Sequence, residues 1–168
     1  MKKWICSYYF LLLLVLASCE SPSQKVESPD LLGLKILELF KKGDGKKISQ
    51  YLITKEEVKK VFEDKLATAT LTDKEKDTFF TDIYEYNRTN GQRFIDMYVS
   101  EEYKKEGILK NAVYESISTE AKDENGTSIT RIRVFFSSSN QKYQLILDAA
   151  KVANYYKLLS WIEVKKGY

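Results

Sequence analysis

Residues 128–137, Ser-Ile-Thr-Arg-Ile-Arg-Val-Phe-Phe-Ser, decide the fold predicted for this chain. Bulky apolar residues mixed with polar ones in this run predict a β-strand of mixed burial. Residues 112–119 alternate between apolar and polar side chains, and Asp-Glu-Asn-Gly at 123–126 predicts a hairpin turn because Asn-Gly tolerates positive φ. The two runs therefore predict an antiparallel hairpin.

Two further strands extend this hairpin. Residues 138–141, Ser-Ser-Asn-Gln, predict a second turn, residues 143–147 a third strand and residues 155–164 a fourth. Short turns join all four segments, so neighbouring strands are expected to pair antiparallel. The predicted sheet is a four-stranded meander at the C-terminal end of the chain.

Helical patterns occupy the chain before the meander. Ser28–Asp30 predicts a helix start, and leucines from Leu31 onward form a broad apolar face that ends before Gly43. We interpret this face as the domain's long packing helix, and contact with a membrane is the alternative. Residues 46–52 predict a short helix.

Two capping boxes predict the next helices. Thr54–Glu57 predicts a helix to about Leu66, and Thr72–Glu75 predicts one that ends near Gly91. In the ambiguous segment 92–107, residues 94–99 fit either a helix or a strand, and residues 100–105 predict a short helical turn before Gly107. A block of helices followed by a meander predicts an α+β fold in which the helices cover one face of the sheet.

Composition limits the possible functions. Of 168 residues, 43% are hydrophobic and 30% charged, which suits one core with a soluble exterior. The 27 basic and 24 acidic residues are interspersed, so binding to nucleic acid is not expected. The chain has no histidine, which excludes histidine-based catalysis and imidazole metal sites. No cofactor motif or metal-binding cluster is visible, so neither is predicted.

The N-terminal segment has the pattern of an export signal. Two lysines precede an apolar run at residues 4–17, which is shorter than the roughly 20 residues of a membrane-spanning helix. Leu16-Ala17-Ser18-Cys19 resembles the lipobox of bacterial lipoproteins. That resemblance implies cleavage before Cys19, diacylglycerol on its sulfur and usually a further acyl chain, such as palmitate, on its amine. An ordinary signal with a chance cysteine is the alternative.

This resemblance divides the chain into three parts. They are a lipoprotein signal peptide at residues 1–18, a lipidated tether at 19–29 and a single α+β domain at 30–168. The tether is expected to be a flexible coil, since it contains small and polar residues and two prolines. The lipid would anchor the domain to the bacterial cell membrane or outer membrane, facing the periplasm or the cell exterior.

The order of elements carries a second resemblance. Helices followed by a meander whose last strand, residues 155–164, contains a tryptophan are similar to the nuclear-transport-factor-like, or cystatin-like, superfamily. In that superfamily a curved sheet closes over helices as a cone. The resemblance implies either a cone-shaped pocket or a binding or dimerisation module. Its catalytic Asp-His pair is not carried over, because histidine is absent.

One candidate binding surface lies on the predicted sheet. Two arginines alternate along the second strand, so they share a face and could grip a carboxylate or an acidic patch, and simple exposure to solvent is the alternative. Aromatic residues of the fourth strand fall on both faces, so some predict an outward binding surface, with packing under a helix or loop as the alternative. This surface comprises Arg131, Arg133, Tyr155, Tyr156 and Trp161.

A second candidate site lies in the ambiguous segment. Arg93, Asp96 and Tyr98 could form the polar group of a cone pocket, with Asp96 as a general base. A surface or ion-paired cluster is the alternative interpretation.

These patterns favour a non-enzymatic, lipid-anchored binding domain whose partner is a protein or an envelope polymer. An immunity or inhibitor protein for a secreted toxin is one form of this hypothesis. A small-ligand carrier or enzyme that uses the cone pocket is a second hypothesis, and a structural spacer or dimerisation unit is a third. The partner and the oligomeric state stay open.

Overall fold

The computed structural model describes residues 24–67, 69–124 and 127–168. The predicted signal peptide, the lipobox with Cys19 and the Asn-Gly pair of the first hairpin turn lie outside the described residues. Those assignments therefore stay predictions.

In the described residues, five helices precede four strands, which confirms the predicted α+β fold. The helices are α1 (Pro29–Lys41), α2 (Gly45–Ser49), α3 (Lys55–Leu66), α4 (Asp73–Val99) and α5 (Glu101–Glu106). The strands are β1 (Val113–Glu124), β2 (Thr127–Ser138), β3 (Gln141–Val152) and β4 (Tyr155–Lys166). All neighbouring strands pair antiparallel in the order β1-β2-β3-β4, so the predicted meander is confirmed.

The predicted helix starts are confirmed at the level of single atoms. Ser28 caps α1 by accepting a hydrogen bond from the Leu31 amide at 3.2 Å. Both capping boxes form, with Thr54 and Glu57 at the start of α3 and the equivalent threonine and glutamate at the start of α4. Local hydrogen bonding of this kind is readable from sequence, because its partners lie only three residues apart.

Helix α4 is longer than predicted. It passes Gly91 without a break and continues to Val99, so most of the ambiguous segment is helical. The absence of a side chain at Gly91 lets the helix approach Leu52 and the carbonyl of Leu159 closely. Packing on β4 therefore allows the helix to continue through Gly91, where the sequence predicted its end. The helical region ends after α5 at Gly107, whose φ is +70°.

Helices pack on both faces of the sheet. Successive strand residues point to opposite faces, so Ile132 and Ala149 lie on one face while Arg131 and Ala150 lie on the other. The first face packs against α1, α2 and the end of α4. The second face packs against α3 and the beginning of α4. The expectation that helices cover only one face was too simple, because α4 is long enough to pass from one side of β4 to the other.

The outer edge of β4 is covered by hydrogen bonds from other parts of the chain. The Ser160 amide donates to Asn87 Oδ1 at 2.9 Å, and the Val164 amide donates to the Tyr98 hydroxyl at 2.8 Å. The Leu158 amide donates to a backbone carbonyl between α2 and α3. These contacts occupy donors that would otherwise remain open for pairing with another chain.

A glycine sets the distance between α1 and the sheet. A methyl group added at Gly33 would lie 2.7 Å from Ile132 Cγ2, 2.8 Å from Ile117 Cδ1 and 2.9 Å from Val134 Cγ2. Real side chains do not approach this closely, so α1 or the strands would have to move apart.

We expect Gly33→Ala to lower the free energy of unfolding by about 1–2 kcal/mol, even though alanine favours a helix by roughly 1 kcal/mol. Urea denaturation followed by circular dichroism measures the change. Gly91→Ala is the matched control, and a smaller loss is expected there because the added methyl meets mainly one leucine. A Gly33→Ala protein as stable as the wild type would contradict this account of the interface.

Candidate ligand groove

A groove of about 710 Å³ opens between the α3–α4 hairpin and the second face of the sheet. Its size falls in the range of roughly 300–1,000 Å³ that is usual for small-molecule sites. Helices α3 and α4 form one side, and strands β2, β3 and β4 form the floor and the other side. The apolar walls include Val61, Phe62, Phe79, Ile83 and Leu159.

An ion pair forms the polar part of the floor. Arg131 and Asp148 face each other across β2 and β3, and two N–H groups of the arginine donate to the two carboxylate oxygens at 2.7 Å each. Asp148 is only 5% exposed. Among the described residues that line the groove, these are the only charged side chains, and their charges oppose each other. The charges of the described lining residues therefore cancel.

The β3–β4 pairing is irregular at this floor. Leu147 pairs with Ile162 but Ala149 pairs with Leu158, so residues 159–161 of β4 stand opposite Asp148 alone. All three of these β4 residues line the groove, whereas a regular strand would alternate them between two faces. The irregular register therefore concentrates β4 side chains in one wall.

Asn87 of α4 supports this irregular stretch. Its side-chain oxygen accepts from the Ser160 amide at 2.9 Å, and its side-chain nitrogen donates to the Ile83 carbonyl at 2.8 Å. Both ends of the amide are thus engaged, which orients it. The contact joins α4 to β4 at the place where the strand ladder is broken.

Large apolar side chains are exposed at the groove. Trp161 is 45% exposed and its ring centroid lies 6.1 Å from that of Phe94. Phe79 and Tyr86 are also exposed and also line the groove. Exposed aromatic groups beside a concave apolar surface are typical of binding sites.

The two predicted arginines share a sheet face but have different surroundings. Arg131 lies in the groove and pairs with the buried Asp148. Arg133 pairs with the more exposed Glu120 at 2.9 Å and is not among the described lining residues.

The three predicted aromatic residues do not form one surface. Trp161 lines the groove, as described above. Tyr155 is buried, and its hydroxyl donates to Glu57 at 3.0 Å. Tyr156 points to the opposite face, where it packs beside the first core cluster. Of the five residues in the predicted surface, the structure brings together only Arg131 and Trp161 in the groove.

Arg93 and Asp96 lie on the outer side of α4, whereas Tyr98 lies on the side that faces the core. Asp96 is exposed and accepts a hydrogen bond from Gln92 at 2.7 Å, and Arg93 lies near it on the outer side of the helix. Tyr98 instead packs in the core and holds the Val164 amide, and its burial raises the pKa of its hydroxyl. The three residues therefore do not form a single polar site.

Apart from Arg131 and Trp161, sequence reasoning did not predict the residues that line the groove as a site. A signal existed for Asp148, because it is a lone charge within the apolar run Leu145–Ala150 and such a residue usually has a buried partner. Phe62 and Phe79 were visible only as helix-face residues. Nothing in the local sequence pointed to Asn87, because its function depends on a strand 73 residues away.

A second buried polar cluster lies on the same face of β4. Lys157 is fully buried, and its ammonium group donates to the carbonyls of Gln24 and Gln50 at 3.0 and 2.9 Å and lies 3.9 Å from Glu57. Burial lowers the pKa of Lys157 to about 8, although Glu57 opposes that shift. Burial, reinforced by Glu57, raises the pKa of Tyr155 to about 12. This cluster joins three separate segments of the chain.

No protein-family model matches this chain, and neither a curated protein nor a solved structure matches it significantly. The groove is therefore interpreted from its own geometry. Within the part of the chain that the structure describes, no three or more acidic, cysteine or histidine residues come together as a metal site. None of the described helices is both long enough and apolar enough to cross a bilayer.

Proposed function

We propose that this chain is a lipid-anchored, non-enzymatic binding domain of the bacterial envelope whose groove holds a small, largely apolar and uncharged ligand. The lipobox-like Leu16–Cys19 segment supports the anchor, and the groove is the single observation that carries the binding function. Its volume, aromatic walls and irregular β4 register suit a small-molecule site.

The neutral floor supports the choice of ligand. An ionised ligand would lose its hydration in the groove without meeting a net opposite charge, because Arg131 and Asp148 already neutralise each other. An apolar body gains from contact with Phe62, Phe79 and Trp161. A ligand with an apolar body and an uncharged polar end therefore fits best.

The geometry of Asp148 supports a binding role rather than a catalytic one. Both of its carboxylate oxygens accept from Arg131, so the group is held as an ion-pair partner and is not presented to a substrate as a base. The chain also has no histidine that could share such a task.

Titration with Nile red, a neutral apolar dye, tests the groove. We expect the dye to bind the full chain with enhanced fluorescence, and Trp161→Ala to weaken that binding about fivefold to thirtyfold through lost aromatic contact. Tyr114→Ala is the matched control, because Tyr114 is 44% exposed but lies on β1, and it is not among the described lining residues. Its affinity for the dye should equal that of the wild type.

A second variant tests the same groove by filling it. Ala150 is buried in the floor, and Ala150→Leu adds three carbons toward the cavity. We expect this protein to bind the dye more weakly than Ala121→Leu, in which the same change is made at an exposed position of β1. Equal dye binding by all these proteins would contradict the proposed function.

A protein partner on the open part of the same sheet face is the second candidate function. Phe135 and Tyr168 form an aromatic pair there, with ring centroids 4.8 Å apart, and Tyr168 is exposed. Arg133 lies on the same face. This candidate predicts that Arg133→Ala with Phe135→Ala abolishes capture of an envelope protein and leaves Nile red binding unchanged.

A further inference from the structure

The described part of the predicted tether lies against the domain. We call residues 24–28 the strap. The Gln24 amide donates to the Gln50 carbonyl at 3.2 Å, and the Tyr156 amide donates to the Val26 carbonyl at 2.7 Å. The Lys25 ammonium lies 5.0 Å from the centre of the Tyr155 ring. The strap therefore pairs with the edge of β4.

Lys157 holds the strap from inside the protein. Its ammonium group donates to the Gln24 carbonyl and also to the Gln50 carbonyl, at the end of α2. Hydrogen bonds from a charged donor are stronger than neutral ones, and this donor is fully buried. The strap and the end of α2 are thus joined through this side chain as well as through the direct hydrogen bond between Gln24 and Gln50.

The length of chain before the strap limits the distance to a membrane. Only residues 20–23 separate Cys19 from Gln24, and five successive Cα–Cα steps span at most about 18 Å. If the lipid is attached at Cys19, Gln24 must stay within that distance of the bilayer surface. A fully flexible tether that ended at residue 29 would permit a longer reach.

We infer that the surface formed by the strap and α2 lies against anionic lipid headgroups and holds the domain in one orientation on the membrane. This inference rests on the lipid anchor of the proposed function. Lys25 of the strap and Lys46 and Lys47 of α2 are exposed. They outnumber the acidic Glu27 of the strap and Asp44 at the start of α2, so this surface has a small net positive charge that an anionic bilayer attracts. Strand β1 lies at the other edge of the sheet, three strands from β4, or about 14 Å in the sheet plane.

Quenching by the bilayer surface tests this orientation. The full chain is expressed in bacteria and reconstituted into vesicles of phosphatidylethanolamine and phosphatidylglycerol that contain a headgroup spin label. A fluorophore is attached at Gln24→Cys of the strap, whose side chain is uncharged and exposed, or, as the matched control, at the exposed Ser118→Cys of β1. Processing would remove Cys6 and block Cys19, so the engineered thiol alone would react, and the unsubstituted chain checks this.

We expect at least twofold stronger quenching at position 24 than at position 118. Inserting ten Gly-Ser residues after Glu20 leaves the strap contacts unchanged but lengthens the free chain, so it should reduce the quenching at position 24. Equal quenching at both positions, or an insertion without effect, would overturn the inference.

Mass spectrometry of the N-terminal peptide separates the two proposals. An acylated Cys19 together with equal quenching at the two positions would contradict the inferred orientation but support the lipid anchor. An unmodified Cys19 would overturn both the anchor and the orientation, whereas Nile red binding would still report on the groove.

Discussion

Asp148→Ala is expected to destabilise the domain by about 3 kcal/mol, because Arg131 would lose the carboxylate that accepts two of its N–H groups. Asp148 is buried and the arginine is largely covered, so water does not easily replace the lost partner. Urea denaturation followed by circular dichroism and tryptophan fluorescence measures the loss. The urea concentration at the unfolding midpoint should fall, while the slope of the free energy of unfolding against urea concentration stays similar.

Two controls separate the buried charge from other effects of the substitution. The double variant Arg131→Met with Asp148→Leu removes both charges, and we expect its stability to lie within about 1 kcal/mol of the wild type. Arg133→Met breaks a more exposed pair with Glu120 and should cost less than about 1 kcal/mol. A double variant as unstable as Asp148→Ala would show that packing rather than charge dominates this site.

The difference in the free energy of unfolding between the wild-type chain and Lys157→Met is expected to rise by about 2 kcal/mol between pH 8 and pH 10. Burial lowers the pKa of Lys157 from its ordinary value of 10.5 to about 8. In this interval the unfolded chain therefore binds more protons than the folded chain, so raising the pH favours the folded state. Glu57, Lys25, Arg88 and Tyr155 surround this amine.

Above pH 10 the ionisation of tyrosines should lower the stability of both proteins. Burial raises the pKa of Tyr155 from 10.0 to about 12, so the folded state holds that proton more tightly than the unfolded state. The stability from this proton is present below pH 10 and is lost as the pH approaches 12. The pKa values of Tyr51, Tyr98, Tyr103 and Tyr168 are also raised and add to this loss.

Lys157→Met is the control for the lysine. Every tyrosine is unchanged in this variant, so tyrosine ionisation affects both proteins alike and the difference in their free energies of unfolding reports on the lysine. A difference that is constant or falls between pH 8 and pH 10 would contradict the role assigned to the buried amine.

The accuracy of the sequence predictions depended on the distance between interacting residues. The capping boxes at Thr54 and Thr72 were predicted correctly because each involves partners three residues apart. The end of the second of these helices was predicted wrongly at Gly91, because the contact with β4 that continues α4 is distant in sequence. The third strand was predicted too short for a similar reason, since pairing with β2 extends β3 past Asp148 to Ala150 and pairing with β4 extends it to Val152.

The candidate site was predicted only in part. The alternation of Arg131 and Arg133 placed them correctly on one face, but their partners Asp148 and Glu120 lie on two other strands. Some of Tyr155, Tyr156 and Trp161 were expected on the outer face. Trp161 is partly exposed there, whereas Tyr155 is buried by Glu57 and the second core cluster. The strap also escaped prediction, since its contacts with Lys157 are made across more than 100 residues of sequence.

By itself the sequence determined the helix starts, the four antiparallel strands and their α+β order, because these depend on side-chain periodicity and on hydrogen bonds between near neighbours. Only the tertiary structure decided which helices lie on which sheet face, where the β3–β4 register breaks and which residues form the groove. Those features depend on contacts between distant segments, such as Asn87 with Ser160 and Arg131 with Asp148, and local periodicity contains no information about them.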